Sequence, residues 1–304
     1  VSGGLILVTG ASGNVGSAVV AGLLERGESV VAALGTRHFE PSKDPASRLL
    51  STMSLEGPVR GTLQARPFDF TDPATWQAAL RDVDRLFLLR PPHISNIKRD
   101  MEPFLDAVAA HGIAHVSFLS VQGAESNSIV PHHKIEQAVM ARALPYSFFR
   151  PSFFMQNLTT THLHEIRDEH RIFVPAGEGR TNFVDVRDIA EAVTLILSRP
   201  PTQSVAFTIT GDEELTYGEV AARLAAHLPY TVNYQSARLI PFFRYNLKQG
   251  RKFGQVFVMY ALYSVTRMGK AGTHTPELRE LLGRAPRSLD QFILDHREQF
   301  LQNS

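Results

Sequence analysis

A strand-length apolar run, Leu5-Ile-Leu-Val-Thr9, breaks into Gly10-Ala-Ser-Gly13-Asn-Val-Gly16 and continues as an Ala-, Val- and Leu-rich stretch of helical period. No other feature of the sequence constrains the fold as much. Strand, glycine turn and helix in this order form the opening unit of a doubly wound α/β sheet. Gly10 can take the sharp bend off the strand, Gly13 leaves room for a pyrophosphate against the backbone, and Gly16 permits close helix packing. The helix start, with Ser12, Asn14 and Val15 beside the glycines, then offers unpaired N–H groups and a partial positive charge to phosphate. A tight turn opening an ordinary α/β unit is the plain alternative. Its place on the first strand of a long alternating series argues against that.

The series is read from apolar periodicity. Strands are predicted at residues 5–9, 29–34, 64–68, 85–89, 115–120 and 146–150, and helices at 15–26, 73–80, 97–111 and 132–143. Residues 36–61 and 124–131, rich in turn formers, are predicted loops. Beyond residue 151 the rhythm is irregular, with helices at 156–170, 186–197, 217–227 and 276–282 and strands at 171–174 and 206–210. The expectation is a Rossmann-type doubly wound parallel sheet built from residues 1–152 and about 183–212. A smaller, discontinuous C-terminal domain takes about 153–182 and 213–304.

Composition removes several function classes. With 31 basic against 30 acidic residues the net charge is +1, so no global field gathers nucleic acid or anionic lipid, and neither is expected as a partner. The chain has no cysteine, which excludes disulfides, thiol catalysis and thiolate metal sites and fits a reducing compartment. Residues 1–8 carry no basic leader and are too short an apolar run to span a bilayer, so a cytoplasmic location is expected.

The glycine spacing is Gly-x-x-Gly-x-x-Gly rather than the commoner Gly-x-Gly-x-x-Gly. About twenty residues further on, an NAD-preferring chain places a carboxylate on the ribose 2′-hydroxyl. Here Gly35-Thr36-Arg37-His38 stands in that place. A guanidinium beside a hydroxyl suits a 2′-phosphate through charge-assisted hydrogen bonds, which predicts NADP(H) as cofactor. A solvated surface arginine is the alternative for Arg37, and Lys43 is a weaker auxiliary. Asp69 and Phe70, after the third strand, could border an adenine, or Asp69 could serve only as a turn residue.

Four motifs together carry a resemblance: Thr9-Gly-Ala-Ser-Gly-Asn-Val-Gly16, Phe87-Leu-Leu-Arg-Pro-Pro92, Phe149-Arg-Pro-Ser-Phe-Phe-Met-Gln-Asn157 and Phe183-Val-Asp-Val-Arg-Asp-Ile-Ala190. With Leu281-Leu-Gly-Arg-Ala-Pro-Arg-Ser288 near the C-terminus, they resemble the NmrA-like group of atypical short-chain dehydrogenases/reductases over nearly the whole chain. The resemblance implies an NADP-type Rossmann domain with a small substrate-binding domain. It covers quinone reductases, a triphenylmethane dye reductase and phenylpropanoid reductases, and also redox-sensing regulators that turn nothing over. Fold likeness therefore gives the cofactor more directly than the reaction.

Enzymes of the superfamily commonly carry a Tyr-x-x-x-Lys pair after the fifth strand, with a serine on that strand. Ser120 matches the serine and Glu136 the glutamate that often follows the lysine, which puts His133 at the lysine position and Ile129 at the tyrosine position. With no tyrosine acid, carbonyl reduction through a tyrosinate is not supported. A hydride can still pass to a strongly electrophilic acceptor such as a quinone, with the proton coming from solvent or from a histidine titrating near pH 6.5. Ser120, His132 and His133 are the catalytic candidates; each could instead cap or solvate its element. Leu89, Arg90 and Pro91 follow the fourth strand, where doubly wound sheets bind ligands, and are assigned to the cofactor.

Gln122, Phe153, Phe154, Met155, Gln156 and Asn157 are the substrate-binding candidates, although aromatic and Met residues at this spacing are often ordinary core. Asp185 and Asp188 are assigned to structure. His162-x-His164-Glu165 has the wrong helical spacing for a metal and reads as a solvated helix surface, and no metal site is expected. Residues 242–268 read as a substrate-domain helix, with a dimer face or a weak membrane-surface contact as alternatives. The leading expectation is an NADPH-dependent reductase of a quinone-like or conjugated small-molecule acceptor. An NADP(H)-sensing regulator with a protein partner and no turnover stands beside it, as does a biosynthetic reductase or isomerase of one specialised metabolite. A homodimer stays open.

Overall fold

The computed structural model describes residues 4–39 and 44–301. Its strands are β1 (Leu5–Val8), β2 (Ser29–Leu34), β3 (Thr62–Pro67), β4 (Val83–Leu88), β5 (His115–Leu119), β6 (Tyr146–Pro151), β7 (Phe153–Phe154), β8 (Arg171–Val174), β9 (Thr181–Val184), β10 (Val205–Ile209), β11 (Glu214–Leu215) and β12 (Asn233–Ser236). Seven of them form one sheet in the order β3-β2-β1-β4-β5-β6-β10. Every neighbouring pair in it is parallel. The order runs outward from β1 in both directions, so the connection reverses between β1 and β4.

Central strands of such a sheet are covered on both faces, and β1, β2 and β5 are buried almost throughout and mostly apolar. Leu7, Val31, Leu86, Leu88, Val116 and Phe118 meet one layer of helices through Trp76, Phe104, Leu105 and Ile135. Helices Asn14–Glu25 and Val186–Ser198 pack on each other, with Gly22 so close to Thr194 that a Cβ there would stand 3.0 Å from its methyl. Arg85 anchors this layer. It is buried, donates to the Leu197 carbonyl at 2.6 Å and pairs with Glu28 at 3.1 Å.

The chain divides into two compact units: Val1–Pro151 with Val186–Ile209, and Ser152–Asp185 with Thr210–Ser304. The second holds a β11-β9-β7 sheet and a β12-β8 pair. Its core gathers Ile166, Ile172, Phe183, Tyr217, Leu224, Phe242, Tyr263 and Phe292.

Local structure departs from the sequence reading in several places. Residues 36–61, expected as loop, contain a 3-10 turn at Thr36–His38 and a helix at Pro45–Leu50. Asp44 caps that helix by accepting from the Ala46 and Ser47 amides, and Pro45 occupies its first position. The helix expected over 97–111 is broken at Met101 into Ile97–Asp100 and Glu102–His111, because Pro103 has no N–H with which to continue it. The helix expected over 156–170 contracts to a 3-10 turn at Met155–Asn157 and a short helix at Leu163–Arg167.

Candidate functional site

Gly10 leaves β1 with φ +63°, the left-handed region that favours glycine. The Gly13 amide closes the turn by donating to the Gly10 carbonyl at 2.9 Å. Gly13 is also the N-cap of helix Asn14–Glu25, and no side chain caps that end. The amides of the first turn are therefore left for a ligand, with Ser12, Gly13 and Asn14 exposed around them and Val15 and Gly16 buried beneath. A Cβ on Gly16 would stand 2.1 Å from the Gly10 carbonyl oxygen, which explains the third glycine.

Thr9 ties this turn to the end of β4. Its buried hydroxyl donates to the Phe87 carbonyl at 3.1 Å and accepts from the Leu89 amide at 2.8 Å. Leu89 in turn lies over Gly10, where a Cβ would be 3.2 Å from its Cδ2. The loops after β1 and β4 thus run side by side at the point where the strand order reverses, the crevice in which open α/β sheets hold ligands.

Thr36 and Arg37 lie exposed just beyond β2, the neighbour of β1, and no carboxylate ends that strand. Among the described residues the one hydrogen bond of the Arg37 side chain is to His38, at 3.4 Å. Lys43 lies outside the described residues. Asp69 is a turn residue: its carboxylate accepts from the Thr71 amide and hydroxyl at 2.7 Å, and its carbonyl accepts from the Trp76 indole at 2.8 Å. The Phe70 ring is 5% exposed and packs edge-on against Phe68 and Phe104, so only its backbone is available to a ligand. Its apolar character is used by the core and not by an adenine.

Arg90 curls back onto its own loop and donates to the carbonyls of Pro91, Pro92 and Ile94 at 3.1, 3.3 and 2.6 Å. This makes it a loop staple rather than a surface ion-pair partner, and its buried Nε has no partner among the described residues. His132 stacks on Phe118, and burial, reinforced by the Arg90 charge, pushes its pKa down to about 4. The expectation of a histidine titrating near 6.5 is corrected at this position. A neutral His132 cannot deliver a proton as imidazolium at neutral pH. His133 binds the Ala124 carbonyl through Nδ1 at 2.7 Å, which fixes the proton on that nitrogen. Ile129, at the tyrosine position, is 85% exposed.

Ser120 is 2% exposed and donates to the Glu136 carboxylate at 2.5 Å. Glu136, itself 1% exposed, also accepts from Arg150 at 3.0 and 2.7 Å. This pair holds the Arg150 guanidinium more basic than usual. The sequence named Ser120 and Glu136 but missed Arg150, whose signal was a lone cation inside an otherwise apolar strand. Gln122 is half-buried, and its backbone N–H donates to the Pro151 carbonyl at 3.0 Å.

Two imidazoles set a pH response. Burial, then the Arg85 charge, lowers His115 to about 4, as in His132. Between pH 6.5 and 4 the unfolded chain binds protons at these positions that the folded chain does not. Their contribution is therefore complete at neutral pH and lost on acidification, roughly 2 kcal/mol per imidazole at about pH 5. Urea unfolding at the two pH values measures it, and His132→Phe is expected to flatten the slope. A wild-type stability independent of pH across this window would contradict the burial.

In the second unit, Phe153 and Phe154 are half-buried, and Phe153 stacks on Tyr263 with centroids 5.9 Å apart. Met155 is 3% exposed and belongs to the core. Gln156 donates its side-chain amide to Asp185 at 2.8 Å, and Asn157 is half-buried. The solvated surface expected for 162–165 is corrected. His162 and Glu165 are 1% and 2% exposed, and His162 bonds the Tyr263 hydroxyl at 2.6 Å and Glu165 at 3.3 Å. His164 is the member that faces outward, to Asp168 at 2.6 Å.

Known proteins share this architecture. The NAD(P)H azoreductase of Xenophilus azovorans is 27% identical over 302 residues, 97% of this chain and 99% of the azoreductase. Prestalk A differentiation protein A of Dictyostelium discoideum is 28% identical over 287 residues, 94% of this chain and 90% of its own length. Among solved structures, an NADPH-dependent quinone oxidoreductase of Escherichia coli in complex with NADPH superposes with TM-score 0.80 at 18% identity, covering 95% of this chain and 99% of the other. The sequence model of the NmrA-like family matches residues 2–293, and the chain belongs to that family.

Proposed function

We propose that the chain is an NADPH-dependent reductase that passes a hydride to a planar, conjugated small molecule, with quinone-like compounds as the acceptor class. One observation carries the reading: an uncapped glycine turn at the sheet's reversal point, with an exposed arginine just beyond the adjoining strand and no carboxylate at that strand's end. Gly10, Ser12, Gly13, Asn14, Val15 and Gly16 would hold the pyrophosphate, and Thr36 and Arg37 the 2′-phosphate. The space above Gly13 fits this: a Cβ there would meet nothing closer than the Gly10 carbonyl oxygen at 3.4 Å. Leu89, Arg90 and Pro91 would border the nicotinamide. When bound, NADPH supplies the hydride.

Ser120, residue 129 and His132 argue for solvent as the source of the proton. The Ser120 hydroxyl proton is committed to Glu136, so Ser120 meets an acceptor as a hydrogen-bond acceptor. With Ile129 in place of a phenol and His132 neutral, none of these groups is a strong acid at neutral pH. An acceptor whose reduced form is a stabilised anion suits such a site, because solvent can protonate it afterwards. The azoreductase and quinone oxidoreductase names of similar proteins agree with that class. The same shortage of acids favours, as a second reading, a protein that binds NADPH without turnover.

The test is steady-state oxidation of NADPH and NADH against a panel of quinones, azo and triphenylmethane dyes, and enones. Turnover with quinones or dyes and a preference for NADPH are expected. Arg37→Glu should weaken NADPH by about a hundredfold while sparing NADH. Tight NADPH binding without oxidation by any acceptor would replace the enzyme with the sensor, and unchanged NADPH affinity in Arg37→Glu would remove the phosphate assignment.

A further inference from the structure

Residues 242–268, expected as one substrate-domain helix, form two: Leu239–Lys248 and Phe253–Arg267, separated at Gly250 with φ +80°. Phe242, Val256 and Tyr263 turn into the core of the second unit. The opposite side of the longer helix stays uncovered. Phe257, Val258, Leu262 and Val265 are 59, 56, 51 and 38% exposed there, and no residue from 253 to 266 is charged. The shorter helix adds Ile240 and Leu247, at 77 and 42%, with exposed Arg244 and Lys248 interleaved on the same side. Exposed apolar side chains gathered on two helices in contact mark a docking surface.

Charge selects the occupant. Residues 220–276 contain eight Arg and Lys and no Asp or Glu; Arg223 is paired with Glu213 and Asp290 and Arg251 is turned onto Asn246 and Thr161, while Arg244 and Lys248 stand exposed on the face itself. A two-fold pairing of this face with its own copy would set one basic patch against the same basic patch. An anionic lipid surface suits both parts: aromatic and aliphatic side chains enter the headgroup boundary, and the interleaved cations meet phosphates.

We propose that this helical pair docks the protein on an anionic phospholipid surface, lying in the interface. Among the described residues no helix is long and apolar enough to cross a membrane. The near-zero net charge behind the expectation of no membrane contact is an average over a chain in which this one segment carries eight cations and no carboxylate. The inference does not depend on the reductase reading, since it needs neither cofactor nor acceptor.

Flotation of the full chain, without cofactor, is measured on vesicles of phosphatidylglycerol and phosphatidylcholine in equal parts and on phosphatidylcholine alone. Binding to the mixed vesicles is expected to be at least about tenfold the greater, and to fall as salt rises. Phe257→Ser with Leu262→Ser, and separately Arg244→Glu with Lys248→Glu, should each lower it about fivefold or more, with circular dichroism unchanged because all four side chains are exposed. No binding, or equal binding to both vesicle types, would overturn the proposal. So would a dimer in sedimentation equilibrium that Phe257→Ser with Leu262→Ser dissociates, which would assign the face to a second copy.

Discussion

Gly13→Ala is expected to lose NADPH affinity by at least a hundredfold while its unfolding midpoint stays within a degree or two of wild type, a loss of about 3 kcal/mol in binding alone. Its Cβ would meet the Gly10 oxygen at 3.4 Å, an ordinary contact, so the fold has no reason to shift. The methyl would stand where a phosphate has to approach the amides, and charge-assisted hydrogen bonds of this type contribute about 1.5–3 kcal/mol each. Gly16→Val is the matched opposite. Its Cβ would fall 2.1 Å from the Gly10 oxygen and 2.6 Å from the carbonyl carbon, backbone atoms that cannot swing aside. Helix and turn must part, at a cost of about 1–3 kcal/mol in stability on top of the lost binding. Calorimetric titration with NADPH and thermal unfolding separate the two. Full affinity in Gly13→Ala would sink the phosphate assignment.

Glu136→Ala should destabilise the first unit strongly, by about 3 kcal/mol, because it strands a guanidinium in partly buried surroundings. Arg150 would keep only Glu125, at 3.4 Å on the exposed side, and Ser120 would lose its acceptor. Replacing both partners, as Glu136→Leu with Arg150→Met, is expected to recover most of the loss, since neither charge is then left unpaired. Urea unfolding of the two single variants and the double variant measures this coupling. A Glu136→Ala midpoint equal to wild type would mean that the triad is not formed. Ser120→Ala should cost far less, because Glu136 retains both bonds from Arg150.

The parts of the molecule that were legible in sequence are those where backbone geometry forces a residue type. Gly10 needs a positive φ, Gly16 has no room for a Cβ, and the parallel sheet needs strands apolar on both faces; each demand leaves its mark locally. The hidden parts depend on partners brought by the fold. Ser120 and Glu136 are sixteen positions apart, and nothing in their spacing says that a hydroxyl and a carboxylate will meet at 2.5 Å. His132 could be named, but its proton affinity is set by burial against Phe118 of β5 and by Arg90 in the loop after β4. The periodicity of 162–165 told which side chains share a side and not which side is inward. His162 and Glu165 therefore read as solvated although they lie under Tyr263. The helix Pro45–Leu50 was readable from Asp44 followed by proline, and the density of turn formers around it concealed it.

The first unit is finished by a part of the chain made late. Helix Val186–Ser198, which packs on Asn14–Glu25 and accepts Arg85 at Leu197, lies beyond the whole of the segment 152–185, as does the edge strand β10. During synthesis, six strands of the sheet leave the ribosome while one flank of the glycine-turn helix is still bare. A nascent chain stalled before residue 186 would leave the Gly22 side of that helix exposed to chaperones, without the neighbour that supplies Thr194.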